Sequence, residues 1–165
     1  MKFNTMKMED ALDALIDYRG KTPKKSKTGI MTLSAKSVKN NHIDYSQCYF
    51  ISEEEYEKFM VRGFPKKGDI LLTTEAPLGL VARLDRNDVA IAQRLLTLRG
   101  KENVLDNDYL LYYLQSPIGQ ASLKVNMLLL RMVRVAYSGI HKEVVSHFLW
   151  YFMHICCKKH WIVQL

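Results

Sequence analysis

The sequence predicts an α+β fold: a single domain built on a central, mostly antiparallel twisted sheet flanked by helices, with an atypical apolar tail after it. Three observations lead there. Apolar residues make up 48% and charged residues 25% of the 165 residues, enough for one ordinary domain with a buried core. Short apolar and β-branched runs follow one another between residues 29 and 100, punctuated by Gly, Pro and Asn. Helical signals bracket these runs instead of alternating with each of them, which argues against a parallel βαβ architecture.

Taken in order, residues 9 to 18 carry Leu12, Leu15 and Ile16 at helical spacing and predict an amphipathic turn or two. Gly20 and Pro23 end it and open a basic loop. Residues 29 to 38 read as a buried strand with a polar end, 40 to 47 as a turn-rich connection, and 48 to 51 as a short strand. Ser52 with Glu55 three residues on is a capping box, starting a helix that stops before Gly63 and Pro65. Residues 70 to 74 form a central strand, and 79 to 84, 89 to 92 and 94 to 100 suggest an antiparallel meander. Asp106 or Asn107 caps the next helix; Ser116 caps another, with Pro117 at its first position, where a missing N–H costs nothing.

Twenty-four Lys and Arg stand against 17 Asp and Glu, a formal charge of +7. Seven of these cations (Arg19, Lys21, Lys24, Lys25, Lys27, Lys36 and Lys39) fall in one stretch that holds no acid. That is either an ordinary solvated loop or an electrostatic footprint for a phosphate backbone, since each phosphate neutralised releases a condensed counterion. Thr22, Ser26 and Thr28 interleave hydrogen-bonding groups among the lysines.

Three cysteines, two of them adjacent (Cys156 and Cys157), do not make a disulfide framework, and the N-terminus lacks a signal-peptide core. The expected compartment is the reducing cytoplasm. The longest apolar stretch, Val144 to Cys157, is too short to span a bilayer, which takes about 20 residues. No methyltransferase Asp/Asn-Pro-Pro-Tyr/Phe motif, dinucleotide glycine fingerprint or nucleoside-triphosphate loop is present. Gly63 to Gly68 lacks the Lys-Ser/Thr ending of such a loop and precedes a strand. No catalytic, cofactor-binding or metal-ligating residue is therefore assigned.

Several segments, in this order, resemble the target-recognition domain of type I restriction-modification specificity subunits. They are Tyr18 to Pro23, Gly29 to Val38, Tyr49 to Glu57, Arg62-Gly63 with Pro65 to Asp69, Thr73 to Gly79, Ala92 to Arg94, and Tyr109 to Gln120. The resemblance covers residues 8 to 124, so 1–124 is read as a DNA target-recognition domain and 125–165 as the tail. It implies a division of labour. A specificity subunit reads half of a split DNA sequence, separate modification subunits bind S-adenosylmethionine and methylate adenine, and a restriction subunit, when present, translocates and cuts. This chain would then recognise double-stranded DNA and do no chemistry. The alternative is a truncated or regulatory fragment that pairs with modification subunits without directing them.

The candidate contacts follow from what DNA reading needs: cations for phosphates, planar or amide side chains for base edges. Arg19, Lys21, Thr22, Lys24, Lys25 and Lys27 supply the loop, although Arg19 can equally pair with Asp17. Lys36 and Asn40 stand where a strand gives way to a turn, and Asn40, Asn41, His42 and Tyr45 are either base readers or turn residues. Thr74 leaves the central strand. Glu75 can accept from cytosine, or cap backbone amides and pair with Arg94, and the repulsion of a carboxylate by phosphates favours the structural role. Gln93 and Arg94 lie between two apolar runs, where consecutive strand residues point to opposite faces and at most one is in the core. Tyr112, Tyr113 and Leu114 read as packing residues.

The resembling family continues with a spacer helix that the tail does not show. Residues 125 to 165 hold a single acid, Glu143, and are rich in Met, His, Cys and Trp. Metal binding by His147, His154, Cys156, Cys157 and His160, a partner-docking helix, and an out-of-frame extension are the three readings. The first suffers from adjacent cysteines, which sit awkwardly around one tetrahedral ion.

Overall fold

A computed structural model describes residues 5–18, 22–75, 77–125 and 162–164. Its elements are β1 (Thr5–Lys7), the single-turn α1 (Met8–Ala11), β2 (Leu12–Asp17), β3 (Ile30–Leu33), β4 (Val38–Lys39), β5 (His42–Ile43) and a 3-10 turn (Tyr45–Gln47). There follow β6 (Tyr49–Ile51), α2 (Glu53–Phe59), β7 (Ile70–Thr73), β8 (Val81–Arg83), β9 (Val89–Ile91), β10 (Leu95–Gly100) and α3 (Asn107–Gln115). A fourth helix, α4, covers 117–125, and β11 is Ile162–Gln164.

The class is α+β and mostly antiparallel, with the strands divided between sheets. A four-stranded sheet runs β2-β10-β7-β8, antiparallel throughout. A three-stranded sheet runs β6-β3-β9, with β6 antiparallel and β9 parallel to β3. A β4–β5 hairpin and the antiparallel pair β1–β11 complete the set.

Alternation along β7 explains the layering. Ile70 and Leu72 face one way and pack with Leu96, Leu98, Leu110, Leu111, Leu114 and Leu123, so α3 and α4 cover that face of the four-stranded sheet. Leu71 faces the other way, with Leu33, Ile51, Val89, Ile91 and Leu95, where the two sheets meet. β7 is buried throughout, on both faces, and it is the expected central strand. Each fully buried aliphatic side chain there contributes about 1.5–3 kcal/mol.

Two expectations fail. Residues 9 to 18 are one helical turn followed by β2, because Leu12, Ala14 and Ile16 alternate inward while Leu15 is 47% exposed, and β10 supplies a pairing edge. The stretch from Gly79 to Gly100 is not a simple meander. β9 crosses to pair parallel with β3, and β10 returns to β7. Val89, Ala90 and Ile91 are all fully buried, so both faces of β9 lie between layers.

The capping signals hold locally, although only half of the Ser52–Glu55 box forms, the Glu55 carboxylate taking the Lys24 amide instead. Ser52 Oγ accepts from Glu55 N at 3.2 Å, Asp106 accepts from the amides of Asp108 and Tyr109, and Ser116 Oγ accepts from Gly119 N at 3.1 Å. Gly29 is required where the basic loop enters β3. Its φ is +124°, and a Cβ there would sit 2.2 Å from the Ile51 carbonyl oxygen. Of the tail, 125 and 162–164 are described, and 162–164 adds to β1 in the register Thr5↔Gln164, Met6↔Val163, Lys7↔Ile162. The tail histidines and cysteines lie outside the described residues, and no described helix is long and apolar enough to cross a membrane.

Candidate nucleic-acid interface

The basic loop is held by its backbone and leaves its cations outside. Lys24 N donates to Glu55 Oε1 at 2.8 Å, so the Glu55 carboxylate ties down the loop while its own amide is capped by Ser52. Ser26 N donates to Phe50 O at 2.7 Å in an isolated antiparallel bridge, which lays the loop along the open edge of β6. Pro23 is buried, whereas Thr22, Lys24, Lys25 and Lys27 are exposed. Lys25 Nζ stands 5.0 Å from the centre of the Tyr49 ring, a cation–π contact that positions its charge without neutralising it. Burial pushes the Tyr49 phenol above its usual range. Its buried hydroxyl meets no hydrogen-bond partner among the described residues. Arg19 and Lys21 lie outside the described residues.

A second group forms at the C-terminal ends of β3 and β9, which run parallel. Lys36 is exposed in the turn closed by Ser37 N donating to Ser34 O at 2.9 Å, and Ser37 Oγ accepts from Ser34 N. Beside it, Ala92 N donates to Leu33 O at 2.8 Å, and the chain then turns at Gln93-Arg94 into β10. These two residues therefore do not sit on a strand, as the sequence suggested. They form the crossover turn between the sheets, and Arg94 takes a left-handed φ of 69°. Such a conformation costs a non-glycine residue about 1–2 kcal/mol. Gln93 is half-buried and Arg94 exposed.

Thr74 is buried, and its amide donates to Arg94 O at 3.1 Å, so it supports the crossover turn from beneath. Glu75 lies beside it, with Oε2 3.4 Å from Arg94 Nε, both side chains about half exposed. The pairing of these two is the structural alternative weighed for Glu75. The loop group lies outside β6 and leads into the N-terminal end of β3, whereas the turn group lies at the C-terminal ends of β3 and β9.

Asn40 and Asn41 make the two-residue turn of the β4–β5 hairpin, with Asn41 at φ 66°. Asn41 belongs to the scaffold: its N donates to Val81 O and its Oδ1 accepts from Gln115 Nε2. Asn40 stays exposed. Tyr45 donates to Asp85 Oδ1, with Arg86 over its ring; burial, then the carboxylate, holds the phenol far above its usual range. Of the three residues read as packing, Leu114 is buried and Tyr113 stacks on Tyr109, but Tyr112 is 68% exposed. It falls on the outer face of α3, opposite the leucines.

Several residues that frame the site were not singled out from sequence. Tyr18 OH donates to Gly63 O at 2.9 Å and accepts from Arg62 N at 2.8 Å, while Arg62 Nη1 donates to Asp17 O. Asp69, almost fully buried, takes two hydrogen bonds from Arg99, at 2.7 and 2.8 Å, and a third from Lys66 N. These bonds hold the Arg99 guanidinium firmly in its charged form. Asn107 bridges Gly100 N and Gly68 O, and Gln120 Nε2 donates to Gly79 O and Leu114 O. The signal for the Asp69 pair was a lone carboxylate beside the apolar run Ile70-Leu71-Leu72, since a buried charge must be paired and hydrogen-bonded.

One solved structure, describing complex assembly and conformational transition of the type I R-M system, superposes with a TM-score of 0.54 over 94% of this chain at 13% identity. The chain shares the fold of a type I restriction-modification component. The HsdS subunit from Thermoanaerobacter tengcongensis is a further structural neighbour, with a TM-score of 0.49, 14% identity and 96% of this chain covered. The chain spans 44% and 45% of the length of these two neighbours. By sequence, neither a protein-family profile nor a curated protein matches it.

Proposed function

We propose that this chain is a target-recognition module of a type I specificity subunit, reading a short stretch of double-stranded DNA and doing no chemistry of its own. The observation that carries the reading is the fold shared with a type I component, joined to a lysine loop whose backbone is anchored and whose cations are exposed. Phosphates would be met by Lys24, Lys25, Lys27 and Lys36, with Thr22 and Asn40 as hydrogen-bonding neighbours. Gln93 and Arg94 on the rigid crossover turn would meet base edges, as Arg19 and Lys21 would the DNA beside the loop. Thr74 acts through the turn it holds. Methylation, with its S-adenosylmethionine, belongs to partner modification subunits, and cutting to a restriction subunit where one is present; the assembly would work in the cytoplasm.

The test is selection from a random duplex library at stated salt, with the full chain alone and with a type I modification subunit added. Recovery of a short common sequence is expected. Uniform recovery in both arms would refute the reading and leave only an interaction fragment.

A further inference from the structure

Resting on that reading, we propose that Arg94 and Glu75 act as one element that reads a single G·C base pair in the major groove. The crossover turn is fixed from several directions: Ala92 N is bonded to Leu33 O, Thr74 N to Arg94 O, and Leu95 pairs with Thr73 at the start of β10. A left-handed turn position is filled most easily by Gly or Asn, yet Arg stands there with φ 69° and its side chain 54% exposed. All that the fold gains from that choice of residue is a half-exposed pair with Glu75, which contributes little to stability.

The Glu75 carboxylate approaches Arg94 through Nε at 3.4 Å, which leaves the terminal nitrogens as a fork beside an acceptor. A phosphate offers only acceptors and would be repelled by Glu75. A G·C pair offers the guanine N7 and O6 acceptors, suited to the guanidinium fork, next to the cytosine amino donor, suited to the carboxylate. In an A·T pair the donor lies between two acceptors, so a fork spanning both would face the adenine amino group. The donor–acceptor order of the Arg94–Glu75 pair therefore matches G·C. Lys36 in the adjoining turn supplies charge for the backbone that Glu75 repels.

The experiment is duplex selection with the full chain and with Glu75→Ala and Arg94→Lys, alongside thermal unfolding. Lysine keeps the charge and loses the fork. In both variants one G·C position is expected to lose at least about fivefold of its preference, the other positions staying as they were and the unfolding midpoint unmoved. A wild-type chain that selects a sequence unaltered by either variant overturns this inference and leaves the recognition reading intact. A uniform gain in affinity for Glu75→Ala, with base preference kept, also overturns it, since Glu75 is then only a counter-charge. A wild-type chain that selects nothing, alone or with a type I modification subunit added, removes both.

Discussion

Replacing Lys24, Lys25 and Lys27 together by Gln tests the electrostatic part of the proposal directly. The anchors of the loop are backbone groups, the Lys24 amide on Glu55 and the Ser26 amide on Phe50. Removing three ammonium groups should therefore leave the fold in place, apart from the loss of the Lys25 contact with the Tyr49 ring. Each phosphate contact contributes about 0.9 to the slope of log affinity against log salt. Three lost contacts should flatten that slope by about 2.7. Between 50 and 200 mM salt the wild type should then lose about 40-fold more affinity than the variant, from that difference alone. Fluorescence anisotropy with a fixed duplex across this range measures it, with circular dichroism confirming the fold. A variant with an unchanged slope would show that the loop does not meet the backbone.

Stability experiments probe the scaffold beneath. Asp69→Ala leaves Arg99 largely buried with only the more distant Asp13 and the Phe64 carbonyl, and urea unfolding should show a loss of about 3–5 kcal/mol. Breaking the exposed pair Lys58–Glu54 should leave the urea midpoint where it is, measured the same way. Tyr18→Phe strips the Arg62 amide and the Gly63 carbonyl of their partner, for about 1–3 kcal/mol in the same assay. Gly29→Ala combines a positive φ with a Cβ 2.2 Å from the Ile51 carbonyl, and its thermal midpoint should fall sharply, by the equivalent of about 2 kcal/mol or more.

What was legible in the sequence was local. The Ser52, Asp106 and Ser116 caps and the apolar run of β7 each depend on residues a few positions apart, and all stand where expected. The failures depend on partners far along the chain. Leu12 to Asp17 is a strand because β10, some 80 residues later, offers an edge, and β9 leaves the meander because β3 does. The site divides the same way. An acid-free run of lysines is visible at once, but that Glu55 would hold its backbone, that Thr74 would be buried under Arg94, and that Asn41 would be taken up by Val81 and Gln115 all follow from packing.

Most segments that carry the resemblance are joined to one another. Tyr18 binds Arg62 and Gly63, Thr74 binds Arg94, and Gln120 binds Gly79; Asp69, within another of them, is held by Arg99. These side chains and amides are spent on closing the fold. An apolar pattern and a few clasps suffice to build it. The exposed groups at Lys24, Lys25, Lys27, Gln93 and Arg94 contribute little to that construction, so the scaffold leaves their identity open. On the proposed reading, the lysines meet the backbone and base preference belongs to Gln93 and Arg94. The fold is therefore readable from its scaffold, and on the proposed reading a DNA target would be set by the turn that the scaffold holds.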